Sequence, residues 1–146
     1  MIFTFKGAEK YSEYIDACGD VLGIRDCVNE VTIDIKKKCD NDAGGFCHGD
    51  IDEVDIEIAT HVQGEKLPEE DILRNITHEM IHAEQIITGR LENIGLQISG
   101  DGTLVNVVIW EGDTYTNTPY SEQPWELEAY SREETVMRES IAIVSR

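Results

Sequence analysis

The chain holds one run with the makings of a metal site, His78-Glu79-Met80-Ile81-His82. On a helix the two imidazoles stand one turn apart on a single face, close enough for two nitrogens to share one divalent ion. Glu79 is rotated about 100° from His78, so it can serve as general base toward a metal-activated water instead of binding the ion. The plain alternative is two surface histidines on an amphipathic helix. A catalytic zinc takes three protein ligands and keeps one position open. The other histidines, His48 and His61, both precede the motif, on a loop and at a strand end. Better third ligands lie downstream in Pro124-Trp125-Glu126-Leu127-Glu128-Ala129-Tyr130. There a proline-led helix start can aim a carboxylate at the ion. Glu126 and Glu128 sit about 200° apart on a helix, so only one of them can face the site.

The elements that must hold these residues can be read from spacing. Tyr11, Tyr14, Ile15, Cys18 and Leu22 form an apolar stripe that predicts a helix over 8–22. Val28 to Ile35 alternates and is β-branched, as a strand is. Cys39 to Gly49 is rich in Gly, Asp and Asn and reads as a loop. Ile51 to Ala59 sets Val54, Ile56 and Ile58 against carboxylates, the pattern of a half-exposed strand at a sheet edge. Pro68 opens the motif helix, with Glu69, Glu70 and Asp71 near its positive end. Ile72, Ile76, Met80, Ala83 and Ile87 form its core stripe, and Gly89 ends it. Leu91–Ser99 and Thr103–Trp110 read as strands joined at Gly100-Asp101-Gly102. A last helix runs from about Glu122 to Ile143. The order is α-β-β-α-β-β-α, an α+β chain in one domain, 1–146, with a small, mostly antiparallel sheet.

Charge and cysteine usage narrow the class. The 146 residues carry 12 Lys+Arg against 30 Asp+Glu, a formal charge of −18. That balance argues against nucleic acid or an anionic membrane as partner, since both need clustered cations. The 40% hydrophobic content argues against disorder. Between Asp40 and Asp71 eleven acids face Lys66 alone, which reads as a solvated face or, more sharply, as a site for a basic ligand. The acidity fits a saline setting, a basic substrate or plain solubility equally well. No apolar stretch suits a membrane span or a signal peptide, so the expected location is cytoplasmic. Cys18, Cys27, Cys39 and Cys47 show no C-x-x-C spacing. They read as reduced, partly buried thiols, with a disulfide, or a second metal site at Cys39, Cys47 and His48, as alternatives.

The motif and the downstream glutamate resemble the gluzincin metallopeptidases, the thermolysin-like clan, in their most compact form. His78 to Gln85, Trp110-Glu111-Gly112 and Pro124 to Ala129 also resemble small phage-encoded predicted metallopeptidases, whose setting would be the host-cell cytoplasm. The similarity covers about the second half of the chain. It implies a zincin-like fold in which the motif helix packs against a C-terminal glutamate helix. It also implies one Zn2+ per chain, held by His78, His82 and Glu126, with Ala129 small enough for close helix approach. Tyr130 stands where the family's Asp would orient the first histidine, and Glu128 remains the alternative ligand. The implied activity is hydrolysis of a protein or peptide, with Glu79 moving the proton. Tyr120, and after it Tyr115, are the phenols best placed in sequence to stabilise an oxyanion. The strand Ile51–Ala59 would receive an extended, Lys/Arg-containing substrate. Trp110 and Trp125 read as core or cleft wall. A second reading keeps the zinc for stability in a binding or assembly module without hydrolysis.

Overall fold

Alternation at Val31, Ile33, Ile35 and at Val54, Ile56, Ile58 builds the inner face of a four-stranded sheet, and these side chains are buried. In the computed structural model, which describes residues 2–146, the chain begins with strand β1 (Ile2–Lys6). Helix α1 (Ser12–Val21), β2 (Glu30–Lys36), β3 (Gly45–Gly49) and β4 (Glu53–Ala59) follow. The short ribbon of β5 (His61–Val62) and β6 (Glu65–Lys66) leads into helix α2 (Glu69–Ile87). Strands β7 (Leu91–Ile98), β8 (Leu104–Trp110) and β9 (Asp113–Thr116) form a second antiparallel sheet, and helix α3 (Pro124–Val144) closes the chain.

The α+β class and the three helices lie where the spacing puts them. Antiparallel pairing predominates across the strand ladders, but the first sheet, ordered β1-β2-β4-β3, pairs β1 with β2 and β2 with β4 in parallel. Two expectations are corrected there. The acidic strand is not an edge: β4 lies between β2 and β3, with Asp55 and Glu57 on the face away from the core. The expected loop supplies β3 instead, the strand that borders β4 on the side of α2. Strands β1 and β9 were not expected at all. The second follows a two-residue turn, Glu111-Gly112, with φ of 49° and 88°, the left-handed pair that suits a tight hairpin.

Helix α2 explains its own limits. Three acids occupy its first turn. At the other end Arg90 N–H bonds the Gln85 carbonyl and Gly89 N–H that of Ile86, a closing turn that throws Arg90 back along the helix. Its apolar stripe lies on the sheet, in one buried cluster with Ile15 and Cys18 of α1 and Val136 of α3. Tyr14 Oη and Thr77 Oγ1, 2.6 Å apart, tie α1 to α2 inside it.

Candidate metal centre

The site forms where α2 faces the first turns of α3. His78 and His82 stack up one face of α2, their ring centroids 4.8 Å apart and nearly perpendicular. Pro124 occupies the first turn of α3, and buried Trp125 packs on Trp110 and Tyr115 of the second sheet. That packing fixes the rotation of α3 and turns Glu126 toward α2. Glu126 Oε2 lies 2.9 Å from His78 Nε2, and Oε1 lies 2.9 Å from His82 Nε2. One ligand atom from each of the three residues falls within 4.8 Å of the others.

The far sides of both rings decide what the near sides offer. His78 Nδ1 is 2.9 Å from Glu133 Oε2, an oxygen that only accepts, so Nδ1 carries the proton. His82 Nδ1 is 2.8 Å from Gln85 Oε1. The Gln85 amide is oriented in turn, because its Nε2 donates to the Trp125 carbonyl and to Glu128 Oε1 at 3.0 and 3.1 Å. As neutral rings, both histidines therefore present an Nε2 lone pair to the Glu126 carboxylate. Lone pairs and a carboxylate repel unless a cation lies among them. His82 Nε2 is buried and out of line for a hydrogen bond with Glu126, so it has no such partner. Two imidazole nitrogens and one carboxylate oxygen fit a divalent ion of zinc's borderline character.

Without an ion, protons take its place. Burial works against a charged His78, but the bond to Glu126, the nearby Glu79 charge and the bond to Glu133 outweigh it, raising the pKa to about 9. His82 is raised by the same contest of burial against Glu126 and Glu79. Burial alone would lift Glu126, yet its close contacts with both histidines, 2.9 Å each, hold it at about 2. Glu79 is buried and pushed up to about 7, the histidine charges only partly offsetting its desolvation. A carboxylate poised near neutrality suits proton transfer.

A cavity of about 580 Å³ opens over the cluster, with residues 43–47 along one side and Tyr120 and Tyr130 along the other. The sequence-predicted residues divide clearly. His78, Glu79, His82, Glu126 and Tyr120 all line this cavity. Tyr120 Oη donates to Glu126 Oε2 at 3.1 Å and lies 2.8 Å from Tyr130 Oη. Burial and these neighbours raise its pKa, so it stays a donor. Tyr115 is instead set edge-on to Trp125, as packing. Glu128 turns away from the cluster toward Arg90, Arg132 and Gln85.

Tyr130 packs over the His78 ring at 4.5 Å and does not orient it through Nδ1; Glu133 does that. Sequence reasoning missed Glu133, although seven residues past Glu126 is two helical turns along one face. It also missed Gly45, where an added Cβ would meet Glu79 Cγ at 3.0 Å and Oε2 at 3.2 Å. All four cysteines are free thiols. Cys47 lines the cavity while His48 points to the opposite face of β3, so the alternative second metal site does not form. Among the described residues, His78, His82 and Glu126 make up the one grouping suited to a metal ion. The smaller pocket beside His82 is walled by Trp125, Leu91 and Asn93. Among the described residues no helix is long and apolar enough to cross a membrane. Protein-family models, curated proteins and solved structures give no match to the chain.

Proposed function

We propose that this chain is a zinc-dependent peptidase with a zincin-like fold of the gluzincin type, holding one Zn2+ through His78, His82 and Glu126. The observation that carries the reading is the convergence of two oriented imidazole lone pairs and a carboxylate beside the buried Glu79. When bound, the ion supplies Lewis acidity toward a water and the scissile carbonyl. Glu79 takes the water's proton as its oxygen attacks the carbonyl carbon. The C–N bond then breaks, and Glu79 returns the proton to the leaving nitrogen. Tyr120, protonated and on the cavity wall, is the donor for the oxyanion.

The substrate strand in this reading is β3, in place of the interior β4. Cavities line β3 from its start at Gly45 past Cys47 to its end at Gly49, so the edge strand is open to an extended polypeptide along its length. Glu79, Glu126 and Glu133 against Arg74 give the cleft an acidic balance that favours Lys- or Arg-bearing segments.

The test is metal content and hydrolysis of a casein or peptide-library substrate by the wild type and Glu79→Gln. We expect about one zinc per chain in both. Hydrolysis should fall by about 10²- to 10⁴-fold in the variant. A wild type that takes up no supplied zinc overturns the metal site. Zinc retained with no hydrolysis by the wild type leaves the ion structural and the chain a binding module.

A further inference from the structure

The sheet β7–β8–β9 has a base and a tip that differ. At its base Leu91, Trp110 and Val108 are buried, and Tyr115 and Trp110 pack on Trp125. Following the register outward on that same face, past a bulge between Asn93 and Gly95, come Leu96 opposite Asn106 and Ile98 opposite Leu104. Leu96, Ile98 and Leu104 are 68, 74 and 65% exposed. Apolar groups clustered this way on a soluble surface mark a contact face. The face is continuous with the cleft, because Leu91 and Asn93, on its inner end, wall the pocket beside His82 and Glu126.

Charge selects the occupant. Residues 91–118 carry Glu92, Asp101, Glu111 and Asp113 and no Lys, Arg or His. Glu92 lies on the opposite face and Glu111 is bonded to Arg90, which leaves Asp101 at the tip and Asp113 at the base as the charges flanking the apolar face. With no cation beside them, in a chain of charge −18, they disfavour a second copy and anionic lipid. The face complements a polypeptide that alternates apolar and cationic side chains. We propose that this face is a docking site for such a segment of a protein partner, outside the metal cleft and continuous with it. If the peptidase reading holds, the segment belongs to the substrate. Docking itself needs no metal, so it is tested apart from turnover.

The experiment measures fluorescence anisotropy of a labelled synthetic peptide alternating Leu and Lys, at physiological salt, with the metal-free 146-residue chain. Companion peptides alternate Ser and Lys, or Leu and Glu. The variant Leu96→Ser/Ile98→Ser/Leu104→Ser removes only exposed side chains, and circular dichroism checks its fold. We expect the wild type to prefer the Leu-Lys peptide to both companions by about tenfold or more, and the triple variant to lose that preference. Equal binding by the triple variant, or no preference in the wild type, overturns the proposal. So does a wild-type dimer in light scattering that the triple variant abolishes, which makes a second copy the occupant. Co-sedimentation with phosphatidylcholine vesicles that depends on the three residues overturns it in favour of a lipid surface.

Discussion

Two polar clusters share the seam between α2 and α3, and they balance charge in opposite ways. In one, Glu84, Glu111 and Glu128 meet Arg90 and Arg132. Contacts of Arg132 to Glu84 at 2.9 Å and of Arg90 to Glu111 at 3.1 Å, with a further close pair from Arg90 to Glu128, close the network inside the chain. In the other, one turn back on α2, Glu79, Glu126 and Glu133 meet two histidines. The one guanidinium nearby, Arg74, lies 3.6 Å from Glu133. The first cluster carries its cations in its own sequence. The second leaves a cation to be supplied from outside, by protons or by a metal. The same pair of helices thus builds a lock at one level and the proposed ion site at the next, and Gln85 joins them by bonding Glu128 on one side and His82 on the other.

The largest way to break the contrast is His82→Ala. Removing one of three ligands should weaken zinc binding by about a thousandfold in a competition assay with a chelating dye. Acid should act next in size. His78 has a pKa raised to about 9, so at neutral pH a proton holds the ion's place and must leave on loading. Zinc affinity should therefore fall by about tenfold per unit as pH drops below 9, or by more where His82 also gains a proton.

Stability should run the other way without metal. The raised His78 contributes stability present below about 6.5, its unfolded value, and lost as pH climbs through about 9. Glu79, raised to about 7, costs stability progressively as pH climbs from 4.5 to about 7. Thermal melts of metal-free protein should fall from pH 5 to 9, while zinc-loaded protein gains over the upper part of that range.

Glu133→Gln sharpens the comparison, since it keeps the shape but weakens the hold on His78 Nδ1. Zinc affinity should drop by about 10- to 100-fold with the fold intact by circular dichroism. The smallest effect belongs to the lock. Arg90 stacks on Trp110 at 4.8 Å and is partly solvated, so Arg90→Ala should cost about 1–2 kcal/mol in a denaturant melt. Zinc affinity should change little, because the Trp125 carbonyl still orients Gln85.

What the sequence shows of this site follows from which forces are local. The motif helix is legible because Pro68, three acids and an apolar stripe are all signals within one segment. The choice between Glu126 and Glu128 is not, since it depends on Trp125 meeting Trp110 and Tyr115 from distant strands. β3 hides behind glycines that read as a loop but serve as clearance beside α2. β4 looks like an edge because alternating acids report a solvated face, which an interior strand of a one-side-covered sheet also has. β9 spans four residues without an apolar alternation, too short to announce itself.

The pairing of Gly45 with Ile58 has a consequence for how the chain matures. A slip of one residue between β3 and β4 would bring the bulk of Phe46 against Glu79, where no Cβ fits unless Glu79 gives way, and turn Cys47 to the far face. A misassembled molecule would then have a plugged cleft beside its ligands. If the cluster takes an ion as proposed, its capture would certify that the first sheet had been put together correctly, so that loading doubles as inspection of the folded product.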